Sequence, residues 1–327
     1  NKCDNLREIH IGENVSSITY NAFSSTLKYL DEITVSAQNT SYSSAGNCLI
    51  ETSSNTLILG TNSTVIPNTV KYITSNAFNG RTNLSTINIP ASVTRINNNA
   101  FDGCTKLREV WCESETPASI QTTSFANISS NAVLYVPTIE AVATYEASTW
   151  KNYFSEIKIG KKEENGMCWG LIPYGTETDK YTLWISGIKE MEDYKDANSV
   201  PWSKYADKIV AVELPSDMTH IGSYAFYNCV ALKSITIPKL VETIGEYCFA
   251  GCSALGSVTY DEDSKLTAIE GYAFQGCNAL EGITIPASVR TIGMNCFTGC
   301  SALESVTFEE GGNLSSIANY AFNGCSA

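Results

Sequence analysis

The amino-acid sequence predicts a β-rich solenoid with parallel sheets, in which short coils stack one on the next and short helices cap the stack. The stretch 209–249 superimposes on itself with a shift of about 23 residues, which places Phe226 on Phe249 and Pro215 on Pro238. The unit L-x-x-I-x-I-P-x-x-V-x-x-I-x-x-x-A-F-x-G-C recurs over most of the 327 residues. A fixed period of this length indicates stacked supersecondary units, because one coil cannot bury its apolar face alone.

Each part of the repeat has a predicted place in the coil. The L-x-x-I-x-I segment is expected to be a short β-strand with two aliphatic side chains pointing inward. Proline follows, as at Pro90 and Pro238, and ends strand pairing because it lacks an N–H group. The Ala-Phe-x-Gly-Cys segment closes the coil, with the phenyl ring filling the interior. We therefore expect the phenylalanines to form continuous internal columns.

The twelve cysteines follow the repeat rather than a disulfide pattern. One repeat position, three residues after the phenylalanine, holds Cys3, Cys104, Cys229, Cys252, Cys277, Cys300 and Cys325, while Cys248 and Cys296 replace the alanine. Stacked free cysteines serve as small buried apolar residues. Disulfides between rungs are disfavoured because parallel Cβ vectors do not supply the required torsion. A zinc site is disfavoured because the repeat places these thiols in the core. Arg81 stands where a cysteine is expected and interrupts the column.

The pattern divides the chain into three predicted segments. Residues 1–160 form the first array, with an expanded, hairpin-containing repeat at 36–65 and a cap made of an aromatic helix and a closing strand. Residues 161–208 break the repeat and are expected to form a linker followed by a β-hairpin and a short helix that caps the second array. Residues 209–327 form that second array. Both arrays lack polar caps at the chain ends, so we expect a fragment of a longer protein.

Composition excludes several classes of function. The net charge of −13 argues against nucleic acid and anionic lipid as partners, since both require clustered Lys and Arg. No apolar run approaches the roughly 18–20 residues that cross a bilayer, so no membrane insertion is expected.

The two histidines, His10 and His220, lie in different arrays and are expected to face solvent. We predict no catalytic residues, no metal site and no cofactor. The carboxylates at 261–263 and 309–310 are interpreted as solvated turns.

The consensus A-F-x-G-C-x-x-L-x-x-I-x-I-P-x-x-V-x-x-I resembles the BspA-like leucine-rich repeats of bacterial and some protozoan surface proteins. The resemblance covers nearly all of 1–136 and 209–327, and 165–208, with Pro201-Trp202, resembles a module that often precedes such arrays. Ile188 and Lys189 depart from the small residues of that module. The resemblance implies a leucine-rich repeat solenoid, two arrays joined by a capping module, in a secreted or cell-surface protein that binds host matrix, other cells or glycans. Fold alone does not determine function.

One group of outward-facing residues differs from the rest of the predicted sheet. Trp111 and Tyr135 occupy the outward position on adjacent strands, flanked by Arg108 and Glu113. Either the helix at 138–150 covers them or they form a contact patch for a ligand. We hypothesise that Arg108, Trp111, Glu113 and Tyr135 bind a ligand.

Three functions remain open from the sequence. The first is a non-enzymatic, monomeric extracellular recognition or adhesion protein that binds a protein or glycan ligand on host or neighbouring cells. The second is a structural spacer. The third is the non-catalytic targeting region of a larger secreted enzyme. A clustered aromatic or charged patch on one solenoid face favours recognition over a spacer.

Overall fold

The computed structural model describes residues 5–19, 22–23 and 27–327. The chain divides into two compact units, Asn1–Lys162 (unit 1) and Glu163–Ala327 (unit 2). Cys3, which the sequence assigns to the thiol column, lies outside the described residues. The three-part division at residues 160 and 208 stays a prediction.

Unit 1 is a stack of coils with two walls of short strands. Its strands are β1 (Glu8–Ile11), β2 (Glu32–Val35), β3 (Tyr42–Ser43), β4 (Cys48–Glu51), β5 (Thr56–Gly60), β6 (Tyr72–Ile73), β7 (Thr86–Ile89), β8 (Arg95–Ile96), β9 (Glu109–Cys112), β10 (Ser119–Ile120), β11 (Val133–Val136) and β12 (Glu156–Lys162). Strands β7, β9, β11 and β12 pair in parallel along one wall. Strands β5, β6, β8 and β10 do so along the other. The hairpin expected within 36–65 is formed by antiparallel β4 and β5.

A helix and an aromatic cluster lie on the last coil of unit 1. Helix α1 spans Ile139–Glu146, and a 3-10 helix follows over Thr149–Tyr153. Thr138 caps α1, because its Oγ1 accepts a hydrogen bond from the Ala141 backbone N–H at 3.0 Å. Trp150 is 1% exposed and packs against Phe125 with ring centroids 5.1 Å apart. The helical spacing in the sequence therefore predicts the cap correctly.

Unit 2 begins with two strands outside the repeat and continues with regular coils. Its strands are β13 (Cys168–Pro173), β14 (Tyr181–Ser186), β15 (Ile209–Glu213), β16 (His220–Ile221), β17 (Ser234–Ile237), β18 (Thr243–Ile244), β19 (Ser257–Tyr260), β20 (Ala268–Ile269), β21 (Gly282–Ile285), β22 (Thr291–Ile292), β23 (Ser305–Phe308) and β24 (Ser316–Ile317). Strands β13 and β14 form the expected antiparallel hairpin, and β15 joins β14 in parallel. Strands β16, β18, β20, β22 and β24 form one parallel wall.

The segment before the regular coils of unit 2 supplies their first aromatic layer. Two 3-10 helices span Ala197–Ser199 and Ser203–Lys208. Trp202 lies directly before the second helix, is 1% exposed, and packs against Phe226 with ring centroids 6.1 Å apart. Its indole N–H donates to the Ala225 carbonyl oxygen at 2.8 Å. A tryptophan therefore takes the phenylalanine position at the first coil of unit 2, as Trp150 packs against Phe125, the last member of the phenylalanine column of unit 1.

The predicted phenylalanine columns are confirmed. In unit 1, Phe78 stacks on Phe101 at 4.8 Å and Phe101 on Phe125 at 4.9 Å. In unit 2 the column has the members Phe226, Phe249, Phe274, Phe297 and Phe322, with centroid spacings of 5.2 to 5.3 Å. These spacings are close to the distance of about 4.8 Å between paired strands. The coil spacing therefore sets the ring spacing.

The cysteines that the structure describes are free, as the repeat register predicts. Five stacked thiols of the main column also make a hydrogen bond that the sequence does not reveal. Cys104 donates to the carbonyl oxygen of Phe78 at 3.1 Å, and Cys252 donates to that of Phe226 at the same distance. Cys277, Cys300 and Cys325 make the equivalent bond to the coil before them. The Phe226 carbonyl oxygen also accepts the backbone N–H of Cys229 at 3.1 Å, so the thiol adds a second hydrogen bond to a carbonyl that already has one partner.

Arg81 is a buried cation at the repeat position where other coils have a cysteine. Its side chain is 1% exposed, and it donates from Nε to the Gly60 carbonyl oxygen at 2.8 Å and from Nη1 to that of Asn79 at 3.1 Å. Burial lowers the pKa of Arg81 to about 10. The guanidinium therefore bonds two backbone carbonyls where the sulfur of the other coils bonds one.

Gly60 gives a stability prediction for unit 1. An added Cβ would lie 1.9 Å from Cε1 of Phe78, whose ring is fully buried. Because the ring cannot move without disturbing its column, we expect Gly60→Ala to destabilise the protein by about 1–3 kcal/mol or more. Gly12→Ala is the matched control, since no described atom lies within 4 Å of its added Cβ. Chemical denaturation of both variants tests this, and equal midpoints would contradict it.

Candidate functional site

The patch predicted from the sequence is only partly on the surface. Trp111 and Tyr135 are paired on adjacent strands and stack with ring centroids 4.0 Å apart, as expected. Trp111 does not itself form an exposed contact surface, because its side chain is 3% exposed. Arg108 is exposed, while Glu113 and Tyr135 are half-buried. Glu113 accepts a hydrogen bond from Asn88 Nδ2 at 2.7 Å. A ligand could reach the edge of this group but not the tryptophan face.

A second aromatic group lies on unit 2, two residues before successive phenylalanines. Tyr224 stacks on Tyr247 at 5.0 Å and 13°, and Tyr247 stacks on Tyr272 at 4.5 Å and 5°. All three are half-buried, and Tyr320, at the same repeat position further along, is 69% exposed. We call these four residues the tyrosine face.

The tyrosines adopt an unfavourable backbone conformation. The φ angles are 60° at Tyr224, 54° at Tyr247 and 59° at Tyr272, in the left-handed region. The same repeat position in unit 1 is filled by Asn76 and Asn99, at 64° and 56°. Asparagine tolerates this region, whereas a bulky residue there is an outlier that costs about 1–3 kcal/mol. Unit 2 therefore carries strain that asparagine would reduce, and such strain is concentrated at functional sites.

Backbone hydrogen bonds hold the strained positions in place. The N–H of Tyr224 donates to the Glu246 carbonyl oxygen at 2.9 Å, and the N–H of Tyr272 donates to that of Met294 at 2.9 Å. Burial, followed by the neighbouring phenols of Tyr272 and Tyr224, raises the pKa of Tyr247. The Tyr247 phenol is therefore neutral at physiological pH, and a neutral phenol can both donate and accept hydrogen bonds.

An open groove of about 550 Å³ adjoins the tyrosine face. It is lined by Asp193, Tyr194, Lys195, His220, Ser223, Tyr224, Thr243, Gly245, Glu246 and Glu270. The lining combines aromatic rings with carboxylates and hydroxyls. Such a lining suits a polar ligand with apolar surfaces.

Asp193 organises one end of this groove. Its Oδ1 accepts hydrogen bonds from the Ser223 backbone N–H at 2.8 Å, from Ser223 Oγ at 2.7 Å and from His220 Nε2 at 3.1 Å. Burial acts to raise the pKa of Asp193, but these hydrogen bonds outweigh it and lower the pKa. The expectation that His220 simply faces solvent is therefore wrong, since its side chain is 24% exposed and takes part in this network. His10 is exposed and hydrogen-bonds Thr34.

The acidic turns of unit 2 line another open cavity, of about 610 Å³, and two of their carboxylates already have partners. Asp263 pairs with Lys239 Nζ at 3.0 Å, and Glu309 Oε2 accepts from the Ala287 backbone N–H at 2.8 Å. Within the described part of the chain, no group of three or more His, Cys, Asp and Glu residues could hold a metal ion.

The tyrosine face was not predicted from the sequence. The sequence does contain a pattern that marks it: the residue two positions before the phenylalanine is tyrosine at 224, 247, 272 and 320, but asparagine at 76 and 99. The left-handed backbone at this position, which makes the difference between Tyr and Asn informative, becomes evident only from the structure.

Together, the parallel strands, the stacked coils and the internal phenylalanine columns define a leucine-rich repeat solenoid. The chain belongs to the BspA type leucine rich repeat region family, which matches residues 1–62, 58–161 and 204–327 with 6 copies of the repeat. No curated protein matches the chain. Across the residues that the structure describes, no helix is both long and apolar enough to span a bilayer.

Several solved structures are similar to this chain. A leucine rich cell surface protein from Faecalibacterium prausnitzii A2-165 is 22% identical, with 93% of this chain and 79% of that chain covered and a TM-score of 0.34. A leucine-rich repeat protein from Bacteroides ovatus ATCC 8483 is 20% identical, with coverages of 80% and 75% and a TM-score of 0.29. The leucine rich repeat protein of T. pallidum is 24% identical, with coverages of 50% and 78% and a TM-score of 0.30.

Proposed function

We propose that the chain is an extracellular, cell-surface recognition or adhesion protein that binds a protein or glycan ligand on host or neighbouring cells. The observation that carries the proposal is the tyrosine face. A solenoid that served only as a spacer would have no use for strained tyrosines where its other array has asparagines. Membership of the BspA-type family supports the extracellular location, through the resemblance described above.

The sequence-derived patch is proposed as a second contact surface. Its accessible members are Arg108, Glu113 and Tyr135. The buried Trp111 stacks against Tyr135 and holds its ring in place. In the binding assay below, Arg108→Ala/Tyr135→Ala tests this patch separately from the tyrosine face.

The main test replaces the tyrosines with the residues of unit 1. In Tyr224→Asn/Tyr247→Asn/Tyr272→Asn, relief of backbone strain and loss of stacking, about 0.5–1.5 kcal/mol per pair, act in opposite directions. We therefore expect a thermal midpoint close to that of the wild type. Binding of the full chain to immobilised extracellular matrix proteins and cell-surface glycans should fall by about tenfold or more, because aromatic anchors dominate interface energetics.

The control changes two exposed tyrosines outside the tyrosine face. Tyr29 and Tyr72 are 41% and 40% exposed in unit 1. The Tyr29→Asn/Tyr72→Asn variant should bind as the wild type does. Unchanged binding by the triple variant, or equal losses in both variants, would refute the role of the tyrosine face.

A further inference from the structure

The tyrosine face contains a gap one residue wide. The column runs through Tyr224, Tyr247 and Tyr272, is interrupted at Asn295, and resumes at Tyr320. Asn295 and Tyr320 keep the left-handed backbone of the column, with φ of 54° and 61°. The coil geometry is therefore continuous through the gap, and only the ring is missing.

The width of the gap follows from the coils beneath it. Phe274, Phe297 and Phe322, on the same three coils, are spaced by 5.3 and 5.2 Å. Equivalent positions at Tyr272 and Tyr320 are therefore about 10 Å apart, two strand spacings. In the same column Tyr247 lies between Tyr224 and Tyr272, with ring centroids 5.0 and 4.5 Å away, so a gap of this width holds one ring. A pyranose ring, thickened by its axial hydrogens, also fits this space.

The floor of the gap is polar. Asn295 Oδ1 accepts a hydrogen bond from Thr298 Oγ1 at 3.1 Å, and the same hydroxyl lies 3.0 Å from the Tyr320 carbonyl oxygen. This contact orients the Asn295 amide, whose NH₂ group is a donor. The side chain beside it, Met294, is 45% exposed and adds an apolar rim.

We propose that the gap between Tyr272 and Tyr320, with Asn295 as its floor, binds one pyranose ring of a glycan. The C–H groups on the two faces of the sugar would lie against the negative faces of the phenol rings. Its hydroxyls would bond Asn295, and the rest of the glycan would extend toward the groove at Glu246 and Glu270. This inference rests on the proposed function and names the ligand class for it.

The chemistry favours a sugar over an aromatic side chain of a protein. An aromatic side chain would present a hydrocarbon edge to the Asn295 amide. A polar group covered in this way without a partner costs about 1–3 kcal/mol. A pyranose carries hydroxyls around its whole rim and so satisfies the amide in any of several orientations.

The decisive variant fills the gap. Asn295→Tyr would continue the tyrosine column at a position whose backbone already matches that of its neighbours. We expect thermal stability near that of the wild type and a loss of about tenfold or more in binding to a panel of immobilised pyranose oligosaccharides. Tyr272→Ala should weaken binding to the same oligosaccharides. Asn99→Tyr, which makes the same change at the same repeat position of unit 1, should leave binding unchanged.

The outcomes separate this inference from the proposed function. Selective loss of oligosaccharide binding in Asn295→Tyr supports the inference. Wild-type binding by Asn295→Tyr, equal losses in Asn295→Tyr and Asn99→Tyr, or no oligosaccharide binding by the wild type would overturn it. If the wild type bound only matrix proteins, through the tyrosine face, the proposed function would stand and the sugar site would not.

Discussion

Raising the pH from about 9 to about 11 is expected to lower the free energy of unfolding by several kcal/mol. Burial raises the pKa of Cys48, Cys104, Cys112 and Cys229 from 9.0 to about 12. In the unfolded chain these thiols ionise above about pH 9, while in the folded chain they stay protonated up to about pH 12. The unfolded state then binds fewer protons than the folded state, so stability falls as pH rises. Each thiol contributes up to about 1.4 kcal/mol per pH unit in this window.

Denaturant unfolding of the reduced protein at several alkaline pH values measures this slope. Cys252→Ala removes one fully buried thiol whose pKa is raised well above 9.0, so the slope should decrease. Cys325→Ala is the control, since this thiol is only half-buried and should contribute less. A stability that did not change between about pH 9 and 11 would show that the thiols are not held protonated in the core.

Phe249→Ala is expected to destabilise unit 2 by about 3–5 kcal/mol. Phe249 is fully buried and stacks at 5.2 Å on both Phe226 and Phe274. Its removal leaves a cavity and deprives two neighbouring rings of a stacking partner. Because each coil depends on its neighbours for burial, amide hydrogen exchange should accelerate on the adjacent coils as well as at residue 249.

Two comparison variants make this result specific. Phe308 is 43% exposed in the same unit, and Phe308→Ala should cost within about 0.5 kcal/mol. Phe249→Leu keeps most of the volume and should cost less than Phe249→Ala. Denaturation midpoints give all three values. Equal effects of Phe249→Ala and Phe308→Ala would mean that the ring column does not stabilise the stack.

The sequence by itself determined the repeat architecture. Phe226 and Phe249 recur at a fixed period, and in a solenoid a fixed period places like residues over like. The ring columns, the free thiols and the hairpin over Cys168–Pro173 and Tyr181–Ser186 could therefore be predicted. The cap at Ile139–Glu146 was also predictable, because its apolar spacing is helical.

The tertiary structure alone decided which residues reach the surface and which hydrogen bonds join the Ala-Phe-x-Gly-Cys segments of neighbouring coils. The sequence left open whether Trp111 is covered or exposed, and the structure shows it buried, since outward orientation on a strand does not determine what lies beside a side chain. The bonds from thiols to carbonyls, as from Cys252 to Phe226, depend on the offset between coils, which the period does not specify. The strain at Tyr247 depends on a positive φ angle, and the asparagines at the same repeat position in unit 1 adopt it too. Periodicity determines which residues stack, whereas exposure, hydrogen bonding and strain arise from the three-dimensional neighbours of each residue.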